Sequence, residues 1–213
     1  MFVKLISYSQ QEDNRSLLDQ VCYCARVSNP ENERVTETNE KLIQYLIRNK
    51  HWSPFEMVSI CIEVVTTRDI ARQILRHRSF SFQEFSQRYA NPTQTLGFKT
   101  REARLQDTKN RQNSLEMEDL GLQQEWEKRQ EKVMETSKET YNWAISKGIA
   151  KEQARVVLPE GNTISRMYIH GTLRSWFHYI QLRSGNGTQK EHREVAIACA
   201  REIDAIFPMN LLL

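Results

Sequence analysis

The chain has only seven glycines in 213 residues, and no Gly-x-Gly-x-x-Gly follows an apolar strand pattern. The glycine turn that lets a dinucleotide's pyrophosphate approach backbone amides is therefore missing, and so is a Walker loop. Neither His-Glu-x-x-His nor Gly-x-Ser-x-Gly occurs, which removes the zincin and nucleophile-elbow readings. The four cysteines, Cys22, Cys24, Cys61 and Cys199, form no Cys-x-x-Cys pair and have no histidine at zinc spacing. They read as reduced thiols of a cytoplasmic protein without a metal site. No apolar run approaches the length of a membrane span, and the N-terminus lacks a basic leader and a small-residue cleavage site. Charge of one sign is scarce too: 30 Lys+Arg against 27 Asp+Glu leaves a net +3, too little to coat nucleic acid.

What is present suits one domain over 1–213. Residues 2–8 read as a short strand and residues 37–50, with Leu42, Ile43, Leu46 and Ile47, as an amphipathic helix. From Met57 to Thr66, Val58, Ile60, Ile62 and Val64 alternate with Ser59, Cys61 and Glu63, the pattern of a half-buried antiparallel strand. A helix follows, with Thr67 available as N-cap and Ile70, Ala71, Ile74 and Leu75 on its apolar side. Residues 91–118 are polar and without period, a long loop or insertion expected to cover part of a site or to pack on another subunit. Further helices are expected at about 119–147, stopping near Gly148, at Lys151–Leu158, at Thr172–Arg183 and at about 189–206.

The chemistry concentrates in Arg76–Tyr89, RHRSFSFQEFSQRY. Helical spacing puts Gln73, Arg76 and His77 on one face, with the arginines riding on the helix's last turns. Arg76 and Arg78 point in different directions, so each guanidinium fork can meet its own phosphate or carboxylate. Cations that merely complement the helix dipole are the alternative. Ser86 and Arg88, one short segment later, add a hydroxyl and another guanidinium suited to an anion. Ser86 lacks an adjacent base, so phosphate binding fits it better than nucleophilic attack. A nucleic-acid-binding module using the run KTREARLQDTKNR at 99–111 is a rival reading, opposed by the low net charge and the interspersed Glu102 and Asp107.

Arg76-His77-Arg78, seven residues, Ser86, one residue, Arg88 resembles the RHR-x7-S-x-R signature of the flavin-dependent thymidylate synthases, the ThyX family. His51-Trp52-Ser53-Pro54-Phe55-Glu56 is similar to the family's H-x-[ST]-P-F-E element, Ala25-Arg26-Val27-Ser28 to its ARVS, Ala154–Pro159 to its AR-x-x-LP, and Arg174-Ser175 through Leu182-Arg183 to its RS…LR helix. The matches run in family order from near residue 22 to near residue 192. The resemblance implies an α+β subunit, a central antiparallel sheet flanked by helices, assembling as a homotetramer with shared sites. It implies methylation of dUMP to dTMP, with 5,10-methylenetetrahydrofolate giving the carbon, FAD relaying it and supplying the hydride, and NADPH reducing the flavin. No cysteine nucleophile enters.

By the same resemblance, Ser53, Arg76, His77, Arg78, Glu84 and His178 would contact FAD. Gln73 and Arg76 from one subunit, with Ser86, Gln87 and Arg88 from another, would bind dUMP, joined by Arg155. Arg183 would polarise the uracil, and its bland alternative is helix C-terminal charge. His51 and Tyr89 are placed near folate or flavin. Two departures stand out: His178 occupies a position where many members have asparagine, and Gln87 one where a familiar form has glycine. KNRQNSL at 109–115, RSWFHYIQLR at 174–183 and NGTQKEH at 186–192 resemble members from large DNA viruses or phages, which would place the protein in a host cytoplasm. A homologue that binds nucleotide or folate without catalysis is the remaining alternative.

Overall fold

The computed structural model describes residues 1–13 and 15–208. Strand β1 (Phe2–Tyr8) leads to helices α1 (Leu17–Ala25) and α2 (Asn39–Arg48), a 3-10 turn at Ser53–Glu56, strand β2 (Ser59–Thr67) and helix α3 (Arg68–Ile74). Strand β3 (Ser81–Glu84), helix α4 (Pro92–Thr95) and a small hairpin of β4 (Leu105–Gln106) and β5 (Ser114–Leu115) follow. The long helix α5 (Leu120–Ser146), helix α6 (Lys151–Ala154), strand β6 (Ile164–Thr172) and helices α7 (Leu173–Arg183) and α8 (Lys190–Asp204) complete the order. No helix among the described residues is long and apolar enough to cross a membrane.

The main sheet is antiparallel throughout, in the order β1-β2-β6-β3. Its centre is the β2/β6 pair, where Ile62 sits opposite Ile169 and Val64 opposite Met167. Alternation decides which face is covered: Ile60, Ile62, Val64, Met167 and Ile169 are all buried, under α3, α7 and α8. Each such side chain contributes about 1.5–3 kcal/mol on burial. The opposite face keeps Phe2 and Ile6 exposed, beside an ion pair of Glu63 with Arg166.

Local chemistry sets the element ends. The Asp119 side chain accepts the Leu122 N–H and caps α5, and Gly148 stops it with φ +76, a left-handed conformation costly for other residues. Thr172 caps α7 by accepting the Ser175 N–H. Thr67 is the N-cap of α3 by backbone geometry only, because its hydroxyl donates to Asp69 at 2.7 Å. Arg26 ties α1 to α2 by donating to the Val35 carbonyl, Asn39 and Thr38.

Three expectations change. Strands β3 and β6 stand where no strand is expected from the sequence, and β6 is a central strand of the sheet. The helix expected over Lys151–Leu158 is four residues of α6 and then a 3-10 turn at Arg155–Val157. Segment 91–118 carries α4 and the hairpin and is pinned to the core elements. Arg101 pairs with Asp69 at the start of α3, its backbone exchanges bonds with Gln130 of α5, and Arg104 pairs with Glu191 of α8. The cations that a nucleic-acid reading would use are thus partly spent on internal acids.

Candidate active site

Helix α3 ends at Ile74, so Arg76, His77 and Arg78 lie in the turn between α3 and β3, beyond the helix that was expected to carry them. The cause is Phe80. Its ring is buried against Trp176, with centroids 4.7 Å apart, and lies over the bare backbone of Gly171, where an added Cβ would stand 2.3 Å from the ring. Ser81 must then pair with His170 of β6, so the six residues from Leu75 to Phe80 have to turn back instead of continuing a helix. Arg76 and Arg78 are left exposed, with no ion pair among the described residues.

His77 is half-buried and meets Arg183, the last residue of α7: the Arg183 Nε–H donates to His77 Nε2 at 2.9 Å. A permanently charged guanidinium cannot accept, so Nε2 carries the lone pair and the proton sits on Nδ1. Burial first, then Arg183 and Arg76, hold His77 below the ordinary histidine value, which keeps the ring neutral. The ring stands edge-on to Tyr179, 5.0 Å between centroids. Both terminal Nη groups of Arg183 carry no hydrogen bond among the described residues, so its fork stays available. Gln73 lies one turn before His77, and its Oε1 is 3.2 Å from Nδ1 of the fully buried His192.

A second group forms around the loop after β3. Ser86 Oγ accepts the Arg88 N–H at 3.3 Å, Arg88 pairs with Glu152 at 3.1 Å, and Tyr89 projects outward, 85% exposed. Gln87 is buried with its Nε2 lacking any partner. It lines an open cleft of about 430 Å³ together with Arg68, Arg72, Arg155 and Glu160. A buried amide donor beside three arginines fits an anionic ligand. Glu84 faces inward, accepting from Ser165 at 2.7 Å and from Arg68 at 3.4 Å.

A third group joins two of the sequence motifs. Arg174 pairs with Glu56 at 2.7 Å, which lies below the ordinary glutamate value through its hydrogen bond to Thr172, against an opposing burial effect, and through Arg174. His178 is exposed and stands edge-on to Trp52 at 5.0 Å. Ser53 is exposed on the same turn, while His51 packs on Tyr45 at 5.8 Å.

The structure therefore brings Gln73, His77 and Arg183 together, and separately gathers Ser86, Gln87, Arg88 and Arg155. Among the described residues no hydrogen bond or ion pair joins the two groups. Tyr179, Gln189, Glu191 and His192 escaped the sequence reading. A signal existed, since His192 falls on the same helical face as Val195, Cys199 and Ile203.

The family model described as "Thymidylate synthase complementing protein" matches residues 4–209. A probable flavin-dependent thymidylate synthase of Paramecium bursaria Chlorella virus 1 is 48% identical over 98% of this chain and 96% of its own. A flavin-dependent thymidylate synthase of Synechocystis sp. is also 48% identical, over the same shares, so the viral likeness is matched by a bacterial one. Among solved structures, a UMP/dUMP methylase PolB from Streptomyces cacaoi, bound with 5-Br UMP, superposes with a TM-score of 0.79 at 26% identity, covering 96% of this chain and 89% of that one. With its signature turn, its Arg183–His77 pair and these full-length likenesses, the chain belongs to the flavin-dependent thymidylate synthase family.

Proposed function

We propose that this chain methylates dUMP to dTMP, taking the carbon from 5,10-methylenetetrahydrofolate and reducing equivalents from NADPH. The observation that carries the reading is the Arg183–His77 pair, a fixed fork beside a neutral imidazole at the head of an exposed arginine turn. Arg76, His77 and Arg78 would hold FAD, the arginines through its phosphates and His77 through its Nδ1–H. Ser53, Glu84 and His178 border it. When bound, FAD relays the carbon and supplies the hydride.

Gln73 and Arg76 would take dUMP from one side, and Ser86, Gln87, Arg88 and Arg155 from the other. The unpartnered Gln87 donor and the neighbouring guanidiniums suit the nucleotide phosphate. With Nε held by His77, Arg183 can aim its Nη groups at a uracil carbonyl and stabilise negative charge developing on the ring. His51 and Tyr89 would border folate or flavin. No hydrogen bond or ion pair among the described residues joins the two groups within one chain, which supports a site completed by a second copy, with the single domain working as a homotetramer. Exposed Phe2 and Ile6 on the outer sheet face, and Leu122, Trp126 and Val133 along α5, support such packing.

The test is the visible absorption of the purified protein together with turnover of Arg183→Ala. A flavin band retained in the variant, with dTMP formation down about 100- to 1,000-fold, is the expected result. A colourless protein that also fails to take up added FAD would sink the proposal, and wild-type turnover in the variant would remove Arg183 from the chemistry.

A further inference from the structure

A chain of hydrogen bonds runs inward from Gln73, and the roles of its atoms can be assigned from one end. Glu191 is held by Arg104, which reaches in from segment 91–118. Burial alone would raise its carboxyl, but the Arg104 hydrogen bond and its neighbours outweigh this and leave it below the ordinary value. An ionised carboxylate only accepts, so Gln189 must turn its Nε2–H toward Glu191 Oε2, at 3.0 Å. Its Oε1 then accepts from Gln73 Nε2 at 2.7 Å. Gln73 Oε1 is left to accept, so His192 carries its proton on Nδ1 at 3.2 Å, and His192 Nε2 accepts the Tyr179 hydroxyl at 3.2 Å. Every bond runs one way, and the carboxylate sets the direction.

We propose that Glu191 and His192 are positioning residues that fix, from opposite ends, which way the Gln73 amide faces. One N–H and one carbonyl lone pair of Gln73 remain for a ligand, and their placement depends on that direction. The inference rests on the reading of Gln73 as a dUMP contact. Arg104 adds a purpose for segment 91–118: it holds the acid that orients a nucleotide-binding side chain on α3. His192 also anchors Tyr179, against whose ring His77 stands, so the same chain supports the Arg183–His77 pair.

Glu191→Gln tests this with almost no change of shape, because an amide can donate or accept and no longer imposes a direction. In the FAD-loaded enzyme, KM for dUMP should rise about three- to tenfold, the scale of one misdirected hydrogen bond, with flavin content and melting temperature near wild type. His192→Leu should raise KM for dUMP likewise, at some cost in melting temperature, and His192→Asn, which can return an N–H toward Gln73, should recover most of the loss. Gln73→Ala supplies the control, and in its background Glu191→Gln should add nothing further. If Gln73→Ala leaves KM for dUMP at wild type, the assignment of Gln73 fails. If it raises KM while Glu191→Gln and His192→Leu do not, or if Glu191→Gln adds its full effect on top, the positioning role is overturned. Tyr179→Phe decides the His192 end should His192→Leu not fold: a wild-type KM there refutes it.

Discussion

His192 makes a prediction about acid stability that can be worked through in numbers. Its ring is fully buried between Tyr179 and Gln73, and burial, followed by the nearby Arg183 and His77, pushes it down to about 3. An unfolded chain returns the imidazole to its ordinary value near 6.5. Above that pH neither state binds the proton and the residue adds no pH dependence. Below it the unfolded chain takes a proton that the folded one refuses, so stability falls as pH drops, levelling off near 3 where the folded ring also protonates. The slope is about 1.4 kcal/mol per pH unit, giving a loss on the order of 3 kcal/mol by pH 4.5 and about 5 kcal/mol across the whole window. Carboxylates titrate over part of the same range, so the assay is a difference: urea unfolding midpoints of wild type and His192→Leu at fixed protein concentration from pH 7.5 to 4.5. Wild type should lose its advantage over the variant steadily below pH 6.5. Parallel curves would refute the argument, since the ring would then protonate as readily folded as unfolded.

Three more outcomes follow from particular contacts. Gly171→Ala drives a methyl into the Phe80 ring and should destabilise the fold by about 1–3 kcal/mol in calorimetry, with Phe80→Leu in the same chain restoring part of it. Ser86→Ala should weaken dUMP binding and leave measurable turnover at saturating dUMP, whereas complete loss of turnover with normal binding would revive a nucleophilic serine. Trp126→Glu, on the exposed stripe of α5, should shift the assembly toward smaller species in sedimentation without unfolding the subunit; an unchanged assembly would place the subunit contacts elsewhere.

Much of this was legible because local chemistry and tertiary demand agree. The stop at Gly148 bounds α5, and alternation in β2 shows which face is buried. The signature residues announce an anion site through their donors alone. What escaped is what only the folded chain decides. Strand β6 alternates Met167 and Ile169 with Arg166, Tyr168 and His170, but Ser165 and Gly171 are small inward positions that dilute the pattern. Gly171 is small because Phe80 must lie on it, and that contact in turn ends α3 early and moves the arginines into a turn. The chain through Gln73, Gln189 and His192 joins residues 116 and 119 apart, which no local period reveals.

The central claim is carbon transfer to dUMP in a flavin-dependent way, and isotope transfer tests it most directly. Purified protein supplied with FAD, NADPH, dUMP and 5,10-methylenetetrahydrofolate labelled in the methylene carbon should yield dTMP carrying the label in its methyl group, and omission of FAD from flavin-stripped protein should abolish it. Unlabelled nucleotide recovered intact from the complete mixture, with flavin bound and all substrates saturating, would contradict the account.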